Sequence, residues 1–405
     1  MVQIIKYCVF VIFILLFSCN SHKSTDKNKE NHAIIAHNNI LKRYRDNISD
    51  TVIVCDISLA KNKKELPINL LVDTLSIITF DNLIKDRLEN PFVPVFRFSD
   101  NYICMYSNAK SPLMLFDKKG AFIRNIGRIG EKLGQYINID NIFMDEENNR
   151  IYILPINTDF ILEYDFLGKY YRNIPLVHKN ISGSSFQVNS KNEEILILTP
   201  FNSKTEHCIW IQDFTGKRLQ SIAPYTYYRD ISYSGSMAIT YFQMQEISYF
   251  HYRVNNGSDY LYHFIKNRNR LSPRFRIKNT EDNIPYYIYE LPNHFIIEVD
   301  KRIANAENLS YQKVIIDKKK LTGCAFDCFS SDYNILLGNK HPILLNTISN
   351  GYFSEYYFLS EIISFLEKNN NTTDNLKNKN SHISTIDLKS YTKDYLFLFV
   401  GKLKK

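Results

Sequence analysis

The chain has 405 residues, 44% of them hydrophobic and 14% aromatic, so it can bury a large core. Its net charge is +8; Lys6 lies in the leader described next, which leaves +7 (8 − 1) for the remainder, a modest value for this length. Together with that export leader, the charge argues against nucleic acid as a partner.

Residues 1–6 form a short start with one lysine, and an apolar run follows over residues 7–17. The run is too short for a membrane span, which needs about 20 apolar residues. It ends at Leu16-Phe17-Ser18-Cys19, which resembles the lipobox of bacterial lipoproteins, with Phe17 bulkier than usual at its position. The resemblance implies that residues 1–18 are a signal peptide and that Cys19 is acylated, giving membrane lipid as the first partner. The alternative is an ordinary secretory signal with an incidental cysteine. Residues 20–30 are polar and charged, and residues 19–50 read as a lipidated N-terminus and flexible tether ahead of a domain over 51–405. Asn20 stands where Asp would resemble the inner-membrane retention signal, so outer-membrane sorting is expected. The membrane face stays open.

Beyond the tether the chain repeats itself. Leu113-Met114-Leu115-Phe116-Asp117-Lys118-Lys119-Gly120 returns as Ile161-Leu162-Glu163-Tyr164-Asp165-Phe166-Leu167-Gly168 and as Ile209-Trp210-Ile211-Gln212-Asp213-Phe214-Thr215-Gly216. The aspartates are 48 residues apart both times (165 − 117 and 213 − 165). Four mostly bulky apolar residues suit a strand, and Asp followed by Gly at i+3 suits a type I turn. A second strand follows each turn, beginning Ala121-Phe122, Lys169-Tyr170 and Lys217-Arg218. Inner strands are legible at residues 102–106, 151–154 and 195–198. Short strands at a fixed period of about 40–50 residues are the signature of a β-propeller blade.

Later units are degenerate. Val314-Ile315-Ile316-Asp317 is followed by lysines where Gly should stand, and the unit between has only Tyr260 to Phe264 and then Ile265-Lys266-Asn267. Room remains for six units, which predicts an all-β, six-bladed β-propeller with a short C-terminal helical insertion. The helix is predicted from Leu359, Ile362, Ile363 and Leu366 at i, i+3, i+4 and i+7. A polar linker over residues 369–380 follows, then a strong strand at Leu396-Phe397-Leu398-Phe399-Val400. Because an open ring would leave an unburied blade face, residues 395–400 are expected to pair with a leading strand near residues 76–80.

The lipobox, the 48-residue units and Gly127-Arg128-Ile129-Gly130-Glu131-Lys132-Leu133-Gly134-Gln135-Tyr136 together resemble the six-bladed β-propeller lipoproteins of Bacteroidetes, which are related to NHL-repeat propellers. In that family a glycine-rich loop links one blade to the next; Gly127, Gly130, Gly134 and Tyr136 match, while Leu133 and Gln135 replace Pro and Glu. Asp56-Ile57-Ser58-Leu59 and residues 75–80 look like the family's leading strands. The glycine spacing is neither a dinucleotide fingerprint nor a P-loop.

Chemistry is less legible. The ten histidines are dispersed, and no nucleophile elbow or zinc spacing is present. Neither a catalytic residue nor a metal ligand nor a cofactor is assigned. Asp140 and Asn141 open an inner strand near the channel, where six-bladed lactonases hold calcium; a turn role is the plainer reading. Five cysteines beyond Cys8 and Cys19 are an odd number, and Cys324 and Cys328 could pair only if the chain turns between them. The basic alternation Arg274-Phe275-Arg276-Ile277-Lys278 reads as a solvated outer strand, with anionic glycans or headgroups as the other option, and the aromatic stretch over 225–252 as blade packing. Two functions are carried forward. One is a membrane-anchored binding or scaffold propeller with a glycan or protein partner, linked to nutrient uptake; the alternative is a lactonase-like hydrolase or lyase.

Overall fold

Each 48-residue unit becomes one antiparallel sheet. A computed structural model of the chain describes residues 40–45, 51–60, 63–80, 94–107, 111–199, 207–223, 249–251, 260–278, 286–300, 311–333, 335–338, 348–349, 351–368 and 395–405. Blade 1 runs outward through Pro94–Phe98, Tyr102–Ser107, Leu113–Asp117 and Phe122–Ile126. Blade 2 comprises Ile139–Asp145, Arg150–Pro155, Phe160–Tyr164 and Tyr170–Pro175, and blade 3 Ser185–Asn189, Glu194–Leu198, Ile209–Asp213 and Arg218–Ile222. The repeated aspartates close the outer hairpins. Asp117 Oδ1 accepts the amides of Lys119 (2.8 Å) and Ala121 (2.9 Å), and Asp213 Oδ1 those of Thr215 and Lys217, both at 2.9 Å. Gly120 has φ +92°, and a Cβ there would fall 2.3 Å from Thr79 O on the neighbouring blade. Both the backbone angle and the close approach demand glycine.

Blades 4 to 6 are assembled from distant segments. Blade 4 contains Tyr249–His251, Tyr260–Ile265 and Arg270–Lys278, extended by Thr51–Asp56 pairing parallel to the last of these and by Leu41–Arg45 beyond it. Among the described residues the first strand is Leu41–Arg45, which falls inside the segment expected to be tether. Arg270–Lys278 is not an outer edge, because Ile53 to Asp56 pair with Phe275 to Lys278. Blade 5 contains Tyr286–Glu290, His294–Asp300, Tyr311–Asp317 and Thr322–Ser330, with Leu336–Leu337 and the parallel strand Lys63–Pro67 added. Blade 6 takes Ile348–Ser349 and Tyr352–Phe358 from its own region, Leu396–Leu403 from the C-terminus and Val72–Thr79 from the N-terminal side. The pairs Phe397↔Thr79, Phe399↔Ile77 and Val400↔Ser76 close the ring as expected. The helix Leu359–Lys368 lies within this last blade's connection. Ile57–Leu59, read as strand, is a 3-10 turn, because Asp56 caps it by accepting the Ser58 amide at 3.2 Å.

Burial follows the ring. Six apolar clusters lie one at each junction: blades 1 and 2 share Cys104, Leu115, Ile142 and Leu162, and blades 6 and 1 share Phe96, Met105, Phe116 and Leu398. Alternate residues of a strand face opposite neighbours, so every blade is apolar on both faces. The innermost strands are left around the axis.

Candidate binding site on the inner strands of blades 1 to 3

Three consecutive inner strands are joined by side chains. Arg97 of blade 1 donates from Nε to Asn141 Oδ1 at 3.4 Å, and Asn141 of blade 2 donates from Nδ2 to Ser185 Oγ of blade 3 at 2.6 Å. Asn141 is fixed further because its Oδ1 accepts the Ile142 amide at 2.9 Å. The pairing of this strand shifts between Ile139 and Asn141, a bulge that leaves Asp140 without a cross-strand partner and re-aims its neighbours. Asn141 is only 8% exposed, so its amide is satisfied by these partners in place of water.

Asp140 is placed beside this chain but turns to a different task. Its Oδ1 accepts the Gly183 amide at 2.8 Å, and its Oδ2 accepts the Ser184 amide at 3.0 Å and Asn180 Nδ2 at 3.3 Å. Asn180 also holds the Thr158 amide and Pro155 O, and Ser184 Oγ lies 2.8 Å from Thr199 Oγ1. The carboxylate thus ties the connection between blades 2 and 3 to the inner strand. Burial pushes its pKa up to about 6, against the opposing effect of those three donors. Calcium does not fit here: both oxygens face N–H groups, and among the described residues no three His, Cys, Asp or Glu side chains converge on a metal position.

The other singled-out residues go elsewhere. The glycine loop is a crossover between blades 1 and 2, with Gly127 at φ +70° where a Cβ would meet Tyr136 and Tyr164 at 2.7 and 2.8 Å. Tyr136 is buried, donates to Ile126 O at 2.5 Å and accepts the Leu113 amide at 2.8 Å. Cys324 and Cys328 both lie on one extended strand, Thr322–Ser330. Four residues at about 3.3 Å each hold their Cα atoms too far apart for a disulfide. Arg276 stacks over Tyr260, 5.6 Å from the ring centroid. Cys19, the linker over 369–380 and most of the aromatic stretch over 225–252 lie outside the described residues. Among those described, no helix is long and apolar enough to cross a membrane.

Sequence reasoning found Asp140 and Asn141 but missed Arg97, Asn180 and Ser185. Arg97 did carry a signal, being the one charged residue in the strand Pro94-Val95-Phe96-Arg97-Phe98. Ser185 and Asn180 are legible only once the blades are side by side.

A protein of Bacteroides fragilis described as exported shares the fold, with a TM-score of 0.53 at 15% identity over 82% of this chain and 95% of its own. A member of the DUF4221 family from Bacteroides vulgatus gives a TM-score of 0.44 at 10% identity, covering 83% and 98%. No curated protein matches the chain. A family profile described as a 6-bladed beta-propeller, DUF5128, matches residues 85–322. That is 238 of the 405 residues (322 − 85 + 1), and the chain belongs to this family of six-bladed β-propellers.

Proposed function

We propose that the protein is an exported lipoprotein, anchored at the outer membrane through acylated Cys19, whose propeller binds a ligand at the inner strands of blades 1 to 3 as part of nutrient uptake. The observation that carries the binding reading is the Arg97–Asn141–Ser185 chain, one polar side chain from each of three rigid strands held in fixed geometry. The leader and lipobox support the anchor. The neighbour described as exported agrees with an extracytoplasmic address.

Asp140, titrating near 6, is the one observation that favours the enzyme alternative. Its oxygens are engaged by the 180–184 connection, which supports a structural role instead. Cys19→Ser is expected to abolish metabolic palmitate labelling and release the protein from the membrane fraction; an unchanged fraction refutes the anchor. An activity screen against lactones, phosphoesters and polysaccharides is expected to show no turnover. Turnover that is lost in Asp140→Ala would replace the binding reading with the enzyme.

A further inference from the structure

We propose that Arg97 anchors a carboxylate group on the ligand, carried by a small organic acid or an acidic sugar. The inference rests on the binding reading above and gives it a chemical class. Arg97 is half-buried, in a strand whose other four residues are buried. Its Nη1 donates to Phe96 O at 2.9 Å and its Nε to Asn141 Oδ1 at 3.4 Å, and Cζ lies 5.9 Å from the Tyr106 ring centroid. A guanidinium carries five N–H donors, so three (5 − 2) are left for another partner.

Its charge is not compensated by any described carboxylate. Among the described residues no carboxylate forms an ion pair with Arg97, although buried Glu163 takes both Arg150 (2.9 Å) and Arg172 (2.7 Å) in the same half of the ring. The acidic residue next to its partner Asn141 is Asp140, already committed to Gly183, Ser184 and Asn180. A half-desolvated cation held without a counter-charge is costly, and an anion entering from outside removes that cost. A second, separate observation lies two blades on. The Nε2 of Gln187, on the inner strand of blade 3, is buried and has no hydrogen-bond partner. It is a donor left over in the same inner layer, suited to an oxygen further along the same ligand.

The charge count selects the class. One guanidinium, with no second cation among the described inner strands of blades 1 to 3, matches a singly charged carboxylate, which its planar fork can engage through two parallel bonds. A phosphate dianion would leave a buried negative charge over. A neutral sugar would leave the positive one.

The test is calorimetry and thermal shift on the full chain with glucuronate, acetate, glucose and inorganic phosphate as probes. Glucuronate is expected to bind and raise the melting temperature, with glucose and phosphate weaker by at least about tenfold. Arg97→Gln should weaken glucuronate by about tenfold or more, and Arg97→Lys, which keeps the charge but loses the fork, should fall between. Circular dichroism and the ligand-free melting temperature establish that both variants are folded. Glucuronate binding that survives Arg97→Gln overturns the anchor. Glucose equal to glucuronate, or phosphate ahead of it, overturns the carboxylate. If neutral glycans bind and no acid does, this inference fails while the binding reading stands; if neither class binds, both fail.

Discussion

Blades 1 to 3 and blades 4 to 6 reach the same shape by different routes. In the first half every sheet is one contiguous stretch, so its pairings are local; Leu113 meets Ile126 and Ile209 meets Ile222. In the second half the sheets depend on partners far along the chain, such as Ile53 with Phe275, Ala325 with Lys63 and Phe399 with Ile77. The junctions differ as well. Between blades 4 and 5, His263 Nε2 donates to Glu290 Oε2 at 2.8 Å while Lys318 pairs with the other oxygen. Burial foremost holds the His263 imidazole below its usual pKa, so it is neutral and donates. Burial raises the Glu290 carboxyl, but the His263 bond and Lys318 outweigh it and keep the group ionised. Between blades 5 and 6, buried Lys313 sits opposite Glu298 and donates to Asp327 O and Gly338 O, while Glu355 accepts the Gly338 amide at 2.6 Å. Local repetition secures one half; long-range strands secure the other, with charged side chains buried between its blades.

The sharpest way to break that contrast is to remove residues 381–405. The strand Leu396–Leu403 is interior to its sheet, so Val72–Thr79 loses its partner at the same time. Leu396, Phe397, Leu398, Phe399, Val400 and Leu403 are all buried, which at about 1.5–3 kcal/mol each amounts to on the order of 10 kcal/mol. A domain's whole net stability is about 5–15 kcal/mol. Soluble expression should collapse, and a truncated protein that melts normally would show that the ring does not depend on this closure.

Lys313→Met comes next. It removes the cation facing buried Glu298 and Glu355, which are 0% and 3% exposed, a loss of about 3–5 kcal/mol. Chemical denaturation measures it. Adding Glu298→Gln should recover part of the loss, and strict additivity of the two changes would show that the residues do not interact.

The same division explains what could be read from the chain. The turn chemistry of Asp117, Asp165 and Asp213 depends on residues within four positions, so it is written locally and repeats visibly. In blade 4 Asn269, at φ +43°, takes the glycine's place, and in blade 5 Leu321 does so at φ +53° with its amide closing on Asp317 O. Those substitutions keep the turn and erase the motif. Lys63-Lys64-Glu65-Leu66-Pro67 gives no strand signal because an added edge strand tolerates charge and proline. The candidate site was half legible: Asn141 and Asp140 stand at a strand start, but their bonds to Ser185 and Gly183 cross 44 and 43 residues. No local pattern encodes that.

Within the first half, Asp140 should give a smaller and pH-dependent effect. Its folded-state pKa is raised from 3.8 to about 6, so it favours the folded state when protonated. That contribution is fully present below about 3.8 and is lost as pH rises through about 6. A shift of this size corresponds to about 3 kcal/mol. Relative to Asp140→Asn, the natural protein should gain stability as pH falls from 7 to 4, measured by urea unfolding at each pH. A difference that stays flat across that range would show that the carboxylate is ionised throughout.

Tyr136→Phe should have the smallest effect and the most informative location. The hydroxyl bridges two strands of blade 1 by accepting the Leu113 amide and donating to Ile126 O. Phe keeps the ring and its packing, so the loss is that of two hydrogen bonds, with the Leu113 amide left buried and unpaired. Such a loss costs about 1–3 kcal/mol. Because the bridged residues belong to a locally paired blade, the added hydrogen exchange should be confined to blade 1 and its junction with blade 2. Faster exchange appearing equally in Leu396–Leu403 would mean that the closing blade unfolds together with the first. The two halves would then form a single cooperative unit, despite the different routes by which their strands are joined.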